Sequence, residues 1–271
     1  MAEGRPDRNL LYRVYSTLIE GVAGYARANG FKPILPSTSA PAPEFAETLP
    51  FVLEGAWGVL PQSHSFHKQL AAESLGRVYC IGPAYRRTEE DHLHSAVFHQ
   101  IEFEMAGADF DAAREVAVDL LAQLIDAVRE EIGEGPSWGL SRIDEVDLAR
   151  EPKSLDYGAY DAWVAEVTAE IDRPLWALNT PRTPPPILNK TDGLYSRGFD
   201  LLTPLPSGEL LSGGEREPGQ AAAFLGVDRK SADEGSSGFG IGLERLVMAI
   251  TGATPIGTVM YPHGGPWTLK N

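Results

Sequence analysis

Val78-Tyr-Cys-Ile-Gly-Pro-Ala-Tyr-Arg-Arg87, followed by Phe98-His-Gln-Ile-Glu-Phe-Glu-Met105, is the stretch that decides how this chain folds. Arg77 to Ile81 is apolar and reads as a strand, while Val97 to Met105 alternates with the period of two that a strand requires. Between them Arg86 to Ser95 is polar and charged, too hydrophilic for a core, so the pair reads as a hairpin with a long exposed tip. Arg86 stands where the apolar strand gives way to that tip. A guanidinium fixed there is suited to hold a phosphate or carboxylate through two parallel hydrogen bonds. Phe98 opens the return strand and offers a ring face to a flat heterocycle such as a purine.

Outward from the hairpin the pattern alternates between helix and strand. Asp7 stands where a cap belongs, and Leu10, Leu11, Val14, Leu18, Ile19 and Val22 recur on one helical face until Gly30 stops it. Phe31 to Leu35 reads as a short strand entering a Pro-rich loop, and Leu60 to Leu75 turns helical toward its end. Asp111 to Ile132 carries Val116, Leu120, Leu124 and Val128 at four-residue spacing, the clearest helix in the chain. Tyr157 to Ile171 reads as a helix. Leu175 to Leu178, Phe199 to Leu202 and Glu209 to Leu211 read as strands, and Gly240 to Gly252 as a closing helix. This order predicts an α+β fold, an antiparallel β-sheet flanked by helices.

Two further segments carry chemistry. Phe199-Asp-Leu-Leu202 and Gly208-Glu-Leu-Leu-Ser-Gly-Gly-Glu-Arg-Glu217 place Asp200 and Glu209 on neighbouring strands, with Arg216 close behind. Paired carboxylates suit magnesium, a hard cation that prefers oxygen ligands. The last segment is Ser237-Gly-Phe-Gly-Ile-Gly-Leu-Glu-Arg-Leu-Val-Met248, whose glycines permit close backbone approach and whose helix presents Arg245.

The composition narrows the partners. A formal net charge of −15 disfavours a polyanionic partner, because phosphate neutralisation supplies most nucleic-acid affinity. The lone cysteine, Cys80, excludes an intrachain disulfide and a cysteine cage, and its apolar neighbours make it a buried strand residue. His64, His67, His92, His99 and His263 show no metal-ligand spacing. No stretch has the apolar length of a signal peptide or membrane span, so the expected location is cytoplasmic.

Together these segments resemble the catalytic core of the class II aminoacyl-tRNA synthetases, in the aspartyl/asparaginyl branch. Tyr85-Arg86 with Phe98-His-Gln-Ile-Glu102 resembles that family's second motif, and Gly240-Ile-Gly-Leu-Glu-Arg245 its third. Gly30-Phe31 leading to Pro36 is a looser match to the first motif, which builds the family's dimer interface. Leu60-Pro-Gln-Ser-His-Ser-Phe-His-Lys-Gln69 resembles the amino-acid-binding segment, and Gly208 to Glu217 the segment that binds metal and substrate side chain.

The resemblance implies roles. Arg86 would hold the α-phosphate and the reacting carboxylate, making it the expected catalytic residue. Phe98 and Arg245 would sandwich adenine, and His94 would contact the γ-phosphate of ATP. Asp200 and Glu209 would ligate Mg2+. Ser63, Lys68, Glu102 and Arg216 would bind the amino acid, with Glu102 near its ammonium. Lys68 and Arg216, as two cations in a closed pocket, predict an acidic side chain, with aspartate first. The sequence departs from the family pattern at Thr88, Val97, Gly214 and Ser65.

Family members of this branch carry an anticodon-binding barrel of roughly a hundred residues before the core, whereas here only 29 residues precede Gly30. Residues 1–271 therefore read as one catalytic domain without an anticodon-binding domain. This outline resembles archaeal asparagine synthetase-related proteins and ammonia-dependent asparagine synthetases. The expected function is an AMP-forming amide ligase that uses ATP and Mg2+, adenylates aspartate and passes the acyl group to ammonia or hydroxylamine. It is expected to be a homodimer, with neither a tRNA nor a membrane as partner. The rival readings are acyl transfer to a tRNA or carrier protein, and an eroded paralogue that senses an amino acid.

Overall fold

The computed structural model describes residues 6–44, 49–88, 90–151, 155–182, 188–228 and 235–260. In chain order the elements are α1 (Arg8–Ala28), β1 (Lys32–Pro33), β2 (Pro50–Leu53), β3 (Ala56–Val59), α2 (Ser65–Leu75), β4 (Arg77–Tyr85), β5 (Val97–Ala106) and α3 (Phe110–Ile132). After them come β6 (Asp144–Asp147), α4 (Tyr157–Glu170), β7 (Leu175–Leu178), β8 (Thr191–Asp192), β9 (Tyr195–Ser196) and β10 (Gly198–Leu202). The chain then forms β11 (Glu209–Glu215), α5 (Gln220–Leu225), β12 (Ser236–Gly242) and α6 (Leu243–Thr251).

The β4–β5 hairpin is present as read, with Cys80 opposite Glu102 and Ala84 opposite Phe98. It sits inside an eight-stranded sheet of order β1-β4-β5-β12-β11-β10-β7-β6. The sheet is mixed, since β1 runs parallel to β4 and β6 parallel to β7. The expected all-antiparallel pairing therefore holds for the six central strands and fails at both edges.

Directly opposite residues on antiparallel strands share a face, and this registers two kinds of row across the sheet. Tyr79, Phe103, Phe239, Gly213 and Phe199 form one row. Its rings stack, Phe103 on Phe239 at 5.4 Å and on Tyr79 at 5.6 Å between centroids. This face is the core, closed by α1 and α3 through Leu11, Val14, Leu18 and Val22 with Leu120, Leu121, Leu124 and Val128. Each such side chain contributes about 1.5–3 kcal/mol when fully buried. The opposite face carries Cys80, Glu102, Gly240, Ser212 and Asp200 in one row, and Val78, Glu104, Gly238, Gly214 and Gly198 in the next. One face is hydrocarbon and the other holds carboxylates, which is where a polar ligand has somewhere to sit.

Local detail refines the reading. Asp7 occupies the N-cap position of α1 without capping through its side chain; its carbonyl accepts from the Leu11 N–H at 3.1 Å. α3 begins one residue earlier than expected, because Asp109 accepts the Ala112 N–H at 2.9 Å. The closing helix starts at Leu243, since Gly240 to Gly242 are still strand. Cys80 is buried, and burial pushes its thiol up to about 12, as expected of a structural cysteine. No helix among the described residues is long and apolar enough to cross a membrane.

Candidate active site

The polar face is deep because β12 is glycine-rich. A Cβ on Gly238 would lie 2.2 Å from Glu104 Oε2 and 2.3 Å from the Phe103 carbonyl oxygen, so only glycine leaves that carboxylate its room. Gly240 gives Glu102 the same clearance, its Cβ position lying 3.2 Å from the Glu102 carboxyl carbon.

Into this trough α2 lowers Lys68, which is fully buried. Its ammonium donates to Glu102 Oε2 and to the Phe239 carbonyl at 2.9 Å, and stands 3.6 Å from Glu104 Oε2. Arg216 is also buried. Its Nε donates to Glu104 Oε1 at 3.1 Å, its Nη2 to Oε2 at 3.1 Å and its Nη1 to Asn189 Oδ1 at 2.8 Å. Ser236 completes Glu104 with a 2.7 Å hydrogen bond. The two cations expected to await an acidic side chain are thus each paired with a carboxylate already. Buried charge without a partner is prohibitive, so the fold supplies one for each. Burial alone would raise the Glu102 carboxyl, but Lys68 and His64 outweigh it and hold it below the usual range.

Ser63 is buried. Its hydroxyl donates to Glu44 Oε2 at 2.5 Å, and Gln62 Oε1 accepts the Glu44 N–H at 2.7 Å. Glu44 Oε1 is buried with no hydrogen-bond partner among the described residues. Burial pushes the Glu44 carboxyl up to about 7, with Glu102 adding to the rise. Between about pH 4.5 and pH 7 the unfolded chain therefore ionises Glu44 while the native state keeps its proton, so stability falls as pH rises through that window. Glu44→Gln is expected to flatten that slope. Urea midpoints of both proteins across the window check it, and parallel slopes would contradict it.

At the hairpin mouth Arg86 is half-buried, its Nε donating to the Gln62 carbonyl at 3.2 Å and its guanidinium lying 4.9 Å from the Phe98 ring centre. Burial lowers its pKa, while Glu209, Glu44 and Glu102 favour its charge and Arg245 opposes it. Arg245 donates through Nη1 to the Glu209 carbonyl at 2.5 Å and through Nε to the Leu93 carbonyl at 3.3 Å. Asp200 is buried and accepts from the Tyr160 hydroxyl at 2.6 Å. Burial, and then Glu209, push its carboxyl up to about 8. Two carboxylates that disfavour each other's charge, one of them desolvated, form a donor set that a hard divalent cation satisfies.

Arg86, Phe98, Arg245, Asp200 and Glu209 are therefore neighbours, joined by contact or by mutual electrostatics. His94 stands apart as an exposed residue, its ring nitrogen 2.9 Å from Asp91. Glu104, Glu44, Asn189 and Tyr160 were not anticipated. Glu104 was accessible, since strand period two places it on the face of Glu102. Glu44 in its Pro-rich loop and Tyr160 in a helix carry no local signal. Asn189 explains one departure from the family pattern: a Cβ at Gly214 would lie 2.5 Å from Asn189 Nδ2, so the amide fills the space a serine would take.

The chain as a whole is similar to known proteins. A family model described as tRNA synthetases class II (D, K and N) matches residues 5–222. An asparagine–tRNA ligase of Sorangium cellulosum is 23% identical, covering 94% of this chain and 69% of its own length. An aspartate–tRNA(Asp) ligase of Pyrobaculum aerophilum is 26% identical, covering 96% and 68%. The asparaginyl-tRNA synthetase of Pyrococcus horikoshii, solved with asparaginyl-adenylate, superposes with a TM-score of 0.79 at 19% identity over 94% of this chain and 68% of that one. That last likeness is one of fold. The expectation against a tRNA partner finds no support here, since all three are tRNA ligases or synthetases.

Proposed function

Because the chain belongs to the class II tRNA synthetase family (D, K and N), we propose that it is an AMP-forming ligase that activates the carboxyl group of aspartate with ATP. The observation that carries this reading is the buried quartet of Lys68, Glu102, Glu104 and Arg216 beside Arg86. Two cations and two carboxylates are a complement to an amino acid that itself has an ammonium and a side-chain carboxylate. Glu44 Oε1, buried and without a partner among the described residues, adds an acceptor for the ammonium.

In the mechanism Arg86 holds the substrate α-carboxylate against the α-phosphate of ATP. Its fixed charge offsets the negative charge that grows on the phosphoryl oxygens as pyrophosphate leaves. Phe98 and Arg245 flank the nucleotide base. Asp200 and Glu209 would hold Mg2+, which when bound neutralises the triphosphate. No covalent nucleophile is required, because position and charge stabilisation carry the step. His94 lies on the charged tip with Asp91 and would contact the γ-phosphate once ATP is bound. The proposal retains a homodimer, for which α1 and the segment after β1 expose Tyr12, Ile19 and Leu35.

For the acceptor we propose ammonia or a small amine such as hydroxylamine. Transfer to tRNA is the second reading, favoured by relatives that are tRNA ligases over nearly the whole of this chain. One incubation separates them: protein, ATP, Mg2+ and aspartate, with ammonium, hydroxylamine or tRNA. AMP together with the α-amide or α-hydroxamate of aspartate supports the amine acceptor, and acid-precipitable aspartyl-RNA supports the tRNA acceptor. Formation of ADP and phosphate contradicts both.

A further inference from the structure

We infer that Tyr160 is a positioning residue of the cation site, holding Asp200 as a single-oxygen ligand and thereby favouring Mg2+ over Ca2+. The inference rests on the reading of Asp200 and Glu209 as metal ligands and adds a residue from outside the sheet.

Tyr160 comes from α4, which packs over the far end of the sheet through a small core of Leu148, Ala177 and Leu202. The ring is nearly buried and stacks on Trp163, centroids 5.6 Å apart and planes 19° apart. Its hydroxyl donates to Asp200 Oδ2 at 2.6 Å, the length of a charge-assisted bond from hydroxyl to carboxylate. Asp200 itself is fixed between β7 and β11, opposite Ala177 and Ser212. The strand register and a hydroxyl donated from a buried, stacked ring leave this side chain little freedom to turn.

The consequence is chemical. A carboxylate ligates Ca2+ through one or both oxygens, and that larger ion gathers six to eight oxygen ligands in flexible geometry. Mg2+ demands near-octahedral geometry at shorter distance and uses carboxylates one oxygen at a time. Chelation by both oxygens asks the carboxylate to turn until both face the ion, against the strand register and the 2.6 Å bond that hold Oδ2 toward Tyr160, whereas ligation through Oδ1 alone leaves that bond as it is. Partners behind a metal ligand alter affinity by roughly 10- to 100-fold when removed.

The test uses the full chain and metal alone. Tb3+ luminescence, sensitised through the protein's aromatic residues, reports site occupancy. Displacement by Mg2+ and by Ca2+ is then compared in the wild type, Tyr160→Phe and Asp200→Asn. Phenylalanine keeps the ring and its stack on Trp163, so the fold is retained, which circular dichroism verifies. The expected result is loss of Tb3+ binding in Asp200→Asn, and in Tyr160→Phe a rise of about tenfold in Ca2+ affinity relative to Mg2+. An unchanged ratio in Tyr160→Phe, with binding lost in Asp200→Asn, overturns the role of Tyr160 alone. Binding indifferent to Asp200→Asn overturns the metal reading and this inference with it.

Discussion

Replacing Arg86 by alanine is expected to cut aspartate-dependent release of AMP and pyrophosphate by about 100- to 1,000-fold, the range seen when one preorganised donor is removed from a developing oxyanion. Arg86 is placed for the role by the end of β4, by the Gln62 carbonyl that accepts its Nε, and by the Phe98 ring beneath its plane. Those contacts orient the guanidinium before any substrate arrives, so its charge acts without reorganising. Lysine retains the charge but neither the planar fork nor the stack. Arg86→Lys is therefore expected to fall between the two, with most of the loss retained. Single-turnover quench of radiolabelled ATP separates the chemical step from binding. An alanine variant with wild-type rates would remove Arg86 from the mechanism.

The second large effect is on stability. Glu104 accepts from Arg216 through both of its oxygens and from Ser236, lies 3.6 Å from the Lys68 ammonium and is buried. Glu104→Ala leaves the Arg216 guanidinium buried with only Asn189 as a partner among these, and removing one member of a buried pair costs about 3–5 kcal/mol. Replacing both together, Glu104→Leu with Arg216→Met, exchanges the pair for hydrocarbon and is expected to recover much of that loss. A double-mutant cycle by urea denaturation measures the coupling. A single-variant loss under about 1 kcal/mol would mean that Arg216 reaches solvent, contrary to its burial.

What was legible in the sequence follows from how local each signal is. α1, α3 and the β4–β5 hairpin were readable because their buried positions repeat with the helical or strand period. β12 was read partly as helix, because its glycines are there to clear Glu102 and Glu104 on the next strand, a reason invisible without the partner. β6 is Asp-Glu-Val-Asp, an exposed parallel edge strand with no apolar face to announce it. The site divides in the same way. Arg86, Phe98, Glu209 and Arg245 lie at or near strand or helix ends and Asp200 in the middle of β10, all within recognisable motifs. The pairing of Lys68 with Glu102 and of Arg216 with Glu104 joins residues 34 and 112 positions apart. Single charges read one at a time looked like open binding groups, and only the register of the sheet shows them already balanced.

Adenylation is reversible, so an enzyme that activates aspartate must return labelled pyrophosphate to ATP. Incubation with radiolabelled pyrophosphate, ATP, Mg2+ and aspartate is expected to yield labelled ATP, at a rate that collapses without aspartate and in Arg86→Ala. Folded protein that binds aspartate yet produces no labelled ATP would contradict a nucleotide site built from Arg86, Phe98, Arg245, Asp200 and Glu209.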